Sequence, residues 1–476
     1  MAKAKPKTAV RKARPEPKSV ALPAATLERE FGKSPAQWHI DDLIALVRER
    51  GIRIVALMHI GGDGWLKTLD FVPRSLSHLR DILEGGERAD GSSLFTGTGI
   101  RAGASDVVLR PRIDSAFIDP FASEPTLAVL CSHLGKDGKP LPQSPDTIVR
   151  RAYERLQQDA GVDLWALGEV EYFLGKQCGE GDAYGADERG YHATSPFVFG
   201  EVMRRKAIIH LAEMGVPVKY GHSEVGYIEA SPVDPVVWEQ HEVELALAPL
   251  PKAAEAVPLT QWVLRNLAQR HGMRCSFNPI VRQGHAGSGM HFHFSPMTEG
   301  AHRGGRDVRG QLSDQAKWLI AGLVETGASL MAFGNRDYNS FIRLSQGKEV
   351  PQAVSWGEFN RHALVRLPIV PQAADGRVTA APTIEFRLPD GSGFPHLLLA
   401  GVAQAMMYGK SIKQVDSLLE ATAAGKTHSH DDNTHLPHNF GEIADLIAAK
   451  RGYLEAAQVF EPSFIDSLLE GLRKRV

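Results

Sequence analysis

The sequence predicts an α+β protein built as a small domain followed by a much larger one, on three observations. Between residues 36 and 132, short apolar runs bounded by glycine- and proline-rich turns follow a single amphipathic helix, the pattern of a small mixed domain. From residue 145 onward, long helical stretches alternate with strand-like runs and no internal repeat appears. At 476 residues, 43% hydrophobic and 23% charged, the chain resembles an ordinary globular protein with material for more than one buried core.

Residues 1–35 begin with MAKAKPKTAVRKARPEPKS, which is basic and proline-containing and lacks the apolar stretch of a secretory signal. A disordered tail is expected there, with a transit peptide or an anionic-surface anchor as alternatives. SPAQWHIDDLIALVRERG (34–51) then has apolar residues at helical spacing, with Ser34 or Asp41 as the cap. IRIVALMHI and WLKTLDFVP read as strands joined across GGDG, GGERADGSSLFTGTG reads as a loop by composition, and DVVLRPRI, SAFIDPF and TLAVLCSHL read as further strands.

In the second domain, PDTIVRRAYERLQQDAG and SDQAKWLIAGLVETGASLMAFG read as helices. VDLWALGEVEYFLG, VKYGHSEVGYIEAS, MRCSFNPI and TIEFRLPD read as strands of one sizeable sheet, with polar, glycine-rich loops at 176–195 and 282–289. HLLLAGVAQAMMYG (396–409) is the most apolar run and is too short to span a bilayer, so it reads as a buried helix.

The net charge of −2 gives no bias toward nucleic acid or a membrane surface. The three cysteines, at 131, 178 and 275, form no CxxC spacing; this fits a reducing, cytoplasmic setting and argues against a disulfide framework or a zinc ribbon. EATAAGKT (420–427) is no Walker A loop, because Glu420 stands where the first glycine is needed. GHAGSG has the wrong spacing for a dinucleotide fingerprint and leads into a strand. The histidines at 428, 430, 435 and 438 lie in a polar stretch that reads as a linker.

The chemistry-bearing residues fall into an anionic and a cationic set. In HAGSGMHFHF (285–294), alternation puts His291 and His293 on one strand face and Met290, Phe292 and Phe294 on the other. The small residues before them allow close approach of backbone or ligand. Glu169 and Glu171 alternate in the same way inside an apolar strand, and Glu224, Glu242 and Glu385 sit in comparable runs. Any one of these reads most simply as a solvated strand face. If the strands share a sheet, five carboxylates and an imidazole without cysteine match Mg²⁺ or Mn²⁺. Arg343, Arg361, Arg366 and Arg387 supply guanidinium groups suited to carboxylate or phosphate. Carboxylates beside arginines suit phosphoryl transfer to an anionic co-substrate.

RADGSSLF, GEVEYFLG, GHSEV, QHEVEL, GSGMHFHFS, NSFIRL…KEVP, NRHALVRLP and IEFRLPD, in this order over about 36–476, resemble the glutamine synthetase family. The resemblance implies a β-grasp domain over 36–132 and a catalytic domain over 133–476, with a curved antiparallel sheet flanked by helices. It also implies a ring-type homo-oligomer, possibly a dodecamer, with active sites between subunits. The reaction it implies is an ATP-dependent ligation of glutamate and ammonia through γ-glutamyl phosphate, with Mg²⁺ or Mn²⁺.

By the same resemblance, Glu171, Glu224 and Glu242 hold one metal, and Glu169, His291 and Glu385 the other. His222, His293, Ser295, Arg361 and Arg366 face ATP, with Arg361 also in the catalytic set. Glu171, Gly287, His291, Arg343, Glu349 and Arg387 surround the amino acid. Asp90, Ser93, Tyr191 and Glu224 form the ammonium pocket, Asp90 is the base, and Glu349 is the flap that keeps water out.

The match is incomplete at several places. Ala286 stands where glutamine-forming members usually carry Asn. GYIEASPVDPVVW separates Glu224 from Glu242, Ala381, Pro382 and Thr383 replace basic residues, and DNTHLPHN lacks the tyrosine that some bacterial members modify. A ligase for another amine or another acid, and a non-catalytic homologue, are the competing expectations.

Overall fold

Regular structure begins inside the segment expected to be a tail. Thr26–Phe31 form a short helix with Leu27 buried, ended by Gly32 at φ 64°. The computed structural model describes residues 25–95, 105–177, 188–307, 309–346, 348–424 and 435–475. The tail expectation over 1–24, the loop segment 96–104, and His428 and His430 lie outside these residues.

The first domain carries β1 (Ile54–Ile60), β2 (Leu66–Phe71), β3 (Glu87–Asp90), β4 (Asp106–Pro111), β5 (Phe117–Ile118) and β6 (Thr126–Leu134). They form one sheet of order β2-β1-β6-β4-β3, with β5 on β6 and with β1 and β6 parallel at its centre. Helices Ile40–Arg50 and Leu76–Gly85 cover one face with Leu43, Leu46, Val47, Leu79, Ile82 and Leu83, packed on Val55, Leu57, Leu127 and Val129. The alternate residues Ala56, Met58, Ala128 and Leu130 enter the core of the second domain. Burial on both faces is why IVALMHI is apolar at every position but His59 instead of alternating, and it welds the two domains together.

Three sequence expectations for this domain change. GGERADGSS is not loop: it forms β3 and the helical turn Gly91–Leu94, because Glu87–Asp90 find a partner in β4. The helix Leu76–Gly85, capped by the Ser75 hydroxyl, was not foreseen. Neither Ser34 nor Asp41 caps Ile40–Arg50; His39 does, its N–H donating to the Asp42 carboxylate, while Ser34 opens the preceding Pro35–Gln37 turn.

The second domain adds β7 (Asp163–Gln177), β8 (Val218–Ile228), β9 (Val236–Leu245), β10 (Ala248–Pro249), β11 (Arg274–Ser276), β12 (Phe292–Thr298), β13 (Ala301–His302), β14 (Ala353–Glu358), β15 (Ala363–Leu367) and β16 (Ile384–Phe386). The order is β14-β15-β16-β12-β7-β9-β8, with β10 and β11 on β7 and β13 on β12. The expected antiparallel pairing holds except that β14 runs parallel to β15. Helices Pro145–Ala160, Leu250–Arg270, Asp314–Thr326 and Pro395–Ser411 line the apolar side. Pro395–Ser411 packs on the other three and is buried over most of its surface, as its sequence suggested. The predicted helix from Asp314 breaks into shorter turns from Gly327. Met290, Phe292 and Phe294 are in this core, which leaves the opposite face of β12 for polar side chains. Among the described residues no helix is long and apolar enough to cross a membrane.

Candidate active site

Strand register assembles the site. Glu171 lies opposite Glu242 across β7 and β9, and Glu169 opposite Glu244. His222 lies opposite Glu242 across β8 and β9, His293 opposite Glu385 across β12 and β16, and Arg366 opposite Glu385 across β15 and β16. Period-two alternation then sends these side chains to one face. Glu224 sits where the β8–β9 register shifts between Ser223 and Tyr227, an irregularity that re-aims a side chain from an otherwise regular strand.

The contacts are close. Glu169 accepts from His291 Nδ1 at 2.9 Å and from His293 Nε2 at 2.9 Å. His291 Nδ1 also lies 3.8 Å from Glu171 and 3.9 Å from Glu385. His222 Nε2 is 3.3 Å from Glu242, and its Nδ1 is 3.7 Å from Glu224. Ligand atoms converge within 4.8 Å in Glu169–His293–Glu385, in His222–Glu224–Glu242 and in Glu169–Glu242–Glu244.

Electrostatics follow from the crowding. Burial, then the neighbouring Glu171, pushes Glu224 up to about 8. Burial and the charges of Glu169, Glu171, Glu224 and Glu385 hold Glu242 well above the usual carboxylate range. Burial also works against a charge on Glu169, but His293 and His291 outweigh it and hold that carboxyl low. A face of hard carboxylate oxygens that repel one another, with imidazoles set among them, is one that a hard divalent cation fits and neutralises.

Around the carboxylates stand the arginines. Arg387, buried, donates to Glu385, to the Arg361 carbonyl at 3.0 Å and to the Glu349 carbonyl at 2.9 Å. Arg366 donates to Glu385 at 2.9 Å, Arg361 to the Glu349 carboxylate at 3.0 Å, and Arg343 to the Leu388 carbonyl at 3.1 Å. Gly287 and Gly289 are needed for close approach. A Cβ on Gly287 would lie 2.6 Å from the Pro279 carbonyl, and one on Gly289 would lie 2.6 Å from His291 and 2.9 Å from Glu171.

Ser295 lies two residues beyond His293 on β12, where it bonds His302 and the Pro382 carbonyl, each at 2.9 Å. Tyr191 is half exposed and stacks on His192 beside His222. Asp90 and Ser93 stand apart. Asp90 ends β3 in the first domain and Ser93 lies in the helical turn that follows, and among the described residues the Asp90 carboxylate bonds only Ser92, Ser93 and Ser105. Those serines hold its carboxyl well below the usual range.

Four side chains were missed in the sequence. Gln240 Nε2 donates to Glu171 at 3.0 Å and to the Gly287 carbonyl at 2.9 Å, and Thr383 bonds His293 at 3.0 Å. Glu244 joins the acidic face and is paired with Lys219 at 2.6 Å. On the back of β9, Glu239 accepts from His241 and from the Phe199 and Gly200 N–H groups, fixing the start of the helix Glu201–Glu213. WEQHEVEL, polar at both parities, carried that signal.

Comparison with known proteins agrees with this architecture. A model described as glutamine synthetase, β-grasp domain, matches residues 51–134, and one described as glutamine synthetase, catalytic domain, matches 142–474. A glutamine synthetase from Thermus thermophilus is 33% identical over 372 residues, 76% of this chain and 78% of the relative. One from Clostridium saccharobutylicum is 30% identical over 426 residues, 87% and 90%. The fold of a Plasmodium falciparum glutamine synthetase superposes with a TM-score of 0.76 at 18% identity, covering 93% of this chain and 96% of that one. With a strand register that gathers acidic and imidazole groups on one sheet face and a family match over both domains, the chain belongs to the glutamine synthetase family.

Proposed function

We propose that this member of the family is an ATP-dependent ligase that forms an amide from glutamate and ammonia through γ-glutamyl phosphate, as a homo-oligomer in the cytoplasm. The observation that carries the reading is the shared face of Glu169, Glu171, Glu224, Glu242, Glu385, His222, His291 and His293, edged by four arginines.

A carboxylate resists attack by an amine, so it must first be activated. Arg343 and Arg387 hold the acid, and Arg361 and Arg366 face the phosphates of ATP. An oxygen of the acid attacks the terminal phosphorus, and ADP leaves. Glu169, Glu171, Glu224, Glu242, His291 and Glu385 would hold Mg²⁺ or Mn²⁺, which would supply positive charge to offset that of the transferring phosphoryl group. Ammonium, drawn to Asp90, Ser93, Tyr191 and Glu224, gives up a proton, and ammonia adds to the acyl carbon as the bond to phosphate breaks. The serine bonds that keep Asp90 charged make it first an ammonium attractor; it becomes a useful base as those bonds loosen. Asp90 and Ser93 complete a site only when a neighbouring subunit brings them to it, which is why the reading includes a homo-oligomer.

A second reading, an amine larger than ammonia, is favoured by one observation: a cavity of about 220 Å³ beside Glu224 and Gln240, lined by Phe197, Val198 and Tyr227. No nucleic acid or membrane enters either reading. The test is ADP release with Mg²⁺ and ATP, offering glutamate and ammonium against a panel of amines and glutamate analogues, with hydroxylamine to trap activated acid. Turnover with glutamate and ammonium supports the first reading; turnover only with another pair supports a divergent ligase. Silence throughout despite ATP binding overturns both.

A further inference from the structure

Glu188 reaches across the chain to two loops that border the acid site. Its Oε2 accepts from the Ala286 N–H at 2.9 Å and from Lys348 Nζ at 3.4 Å. Its Oε1 is buried, without a hydrogen bond among the described residues, 3.5 Å from the His285 ring. Lys348 also donates to the Gly284 carbonyl at 2.6 Å, and the Gly284 N–H donates to the Gln346 side chain at 3.2 Å. The turn at 284–286, which leads into Gly287 and Gly289, is therefore tied to Gln346 and Lys348 at three points, and Glu188 is the bridge in one of them, the tie from Ala286 to Lys348.

The next residue, Glu349, is held from the other side by Arg361 at 3.0 Å and by the Arg387 bond to its carbonyl. It also takes φ 49°, a left-handed backbone that a residue with a side chain keeps only when its surroundings fix it. Without Glu188, Lys348 and Gln346 would keep only their bonds to Gly284, and the Ala286 end of the turn would lose its tie to Lys348.

We propose that Glu188 is a positioning residue: its carboxylate ties Lys348 to the Ala286 turn and so keeps Glu349 closed over the activated acid. This rests on the ligase reading above and extends it. When the tie is cut, water reaches the acyl phosphate, adds to the acyl carbon and expels phosphate as the carbon–oxygen bond breaks. Free acid returns, a proton passes to solvent, and ATP is consumed without an amide.

The readout is phosphate released per amide formed, measured on the full-length protein with whichever acid and amine it turns over. Wild type is expected near one phosphate per amide. In Glu188→Ala the ratio is expected to rise about three-fold or more. Glu188→Gln, which keeps an acceptor for Ala286 and Lys348, is expected to restore most of the coupling. A Glu188→Ala protein that is slower but still coupled one to one has lost structure only, and overturns the proposal. If Glu188→Ala does not fold, Lys348→Met cuts the other end of the tie; a raised ratio there supports the proposal and a ratio of one overturns it. Wild type silent with every pair overturns the ligase reading and this extension together, and is distinct from coupled turnover in the variants.

Discussion

Glu171 and Glu242 stand directly opposite each other on adjacent antiparallel strands, with His222 opposite Glu242 on the next. Like charges in that position destabilise a sheet, and burial makes the repulsion worse. The metal-free fold therefore carries a cost that a divalent cation removes. Thermal unfolding is expected to shift upward with Mn²⁺ or Mg²⁺, by about 2.7 kcal/mol at a hundred times the dissociation constant. Glu242→Gln should leave the metal-free protein equally or more stable and lose most of that shift. Equal metal stabilisation of both proteins would refute the assignment.

Glu349 is exposed, and its carboxylate meets Arg361. Glu349→Ala is expected to bind ATP as wild type does while amide formation falls at least ten-fold, since the barrier to water is lost. Nucleotide titration and product analysis separate the two effects. Wild-type turnover in the variant would remove Glu349 from the mechanism.

At the joint between the domains, His133 bonds His59 at 3.0 Å and Ser144 at 2.8 Å, and burial pushes His59 down to about 4 and both His133 and His396 to about 3. All three are neutral when folded. Between the unfolded value near 6.5 and these lower ones, the unfolded chain binds more protons. Stability is thus fully present above pH 6.5 and is lost as pH falls below it, each histidine losing about 1.4 kcal/mol per pH unit. Denaturant midpoints should fall steadily from pH 7 to pH 5, and a flat profile would contradict the burial seen here.

Gly289 has no room for a side chain, since a Cβ there would crowd His291, Glu171 and Arg343 together. Gly289→Ala is expected to raise KM for the acid at least ten-fold with a smaller change in ATP binding. Comparable losses for acid and nucleotide would instead point to general damage to the fold.

Much of this site was legible because strand alternation is a local property. The parity of Glu169 with Glu171, and of His291 with His293, follows from residue spacing and backbone geometry, and the apolar partners Phe292 and Phe294 mark the buried face. The β3 strand was illegible for the opposite reason. Glu87–Asp90 has a loop composition and becomes a strand only because β4 lies beside it. The bulge at Glu224 and the polar back of β9 depend likewise on partners far along the chain.

By itself, then, the sequence determined the α+β class, the two-domain order, the buried helix Pro395–Ser411 and the shared strand faces of Glu169 with Glu171 and of His291 with His293, all of which follow from spacing and composition along one stretch of chain. Which carboxylate faces which histidine, that Gln240 and Glu244 belong to the site, and that Glu188 reaches Lys348 and the Ala286 turn were decided by the tertiary structure. Those relations are distances between segments up to 160 residues apart, set by strand register and loop packing, and no local pattern encodes them.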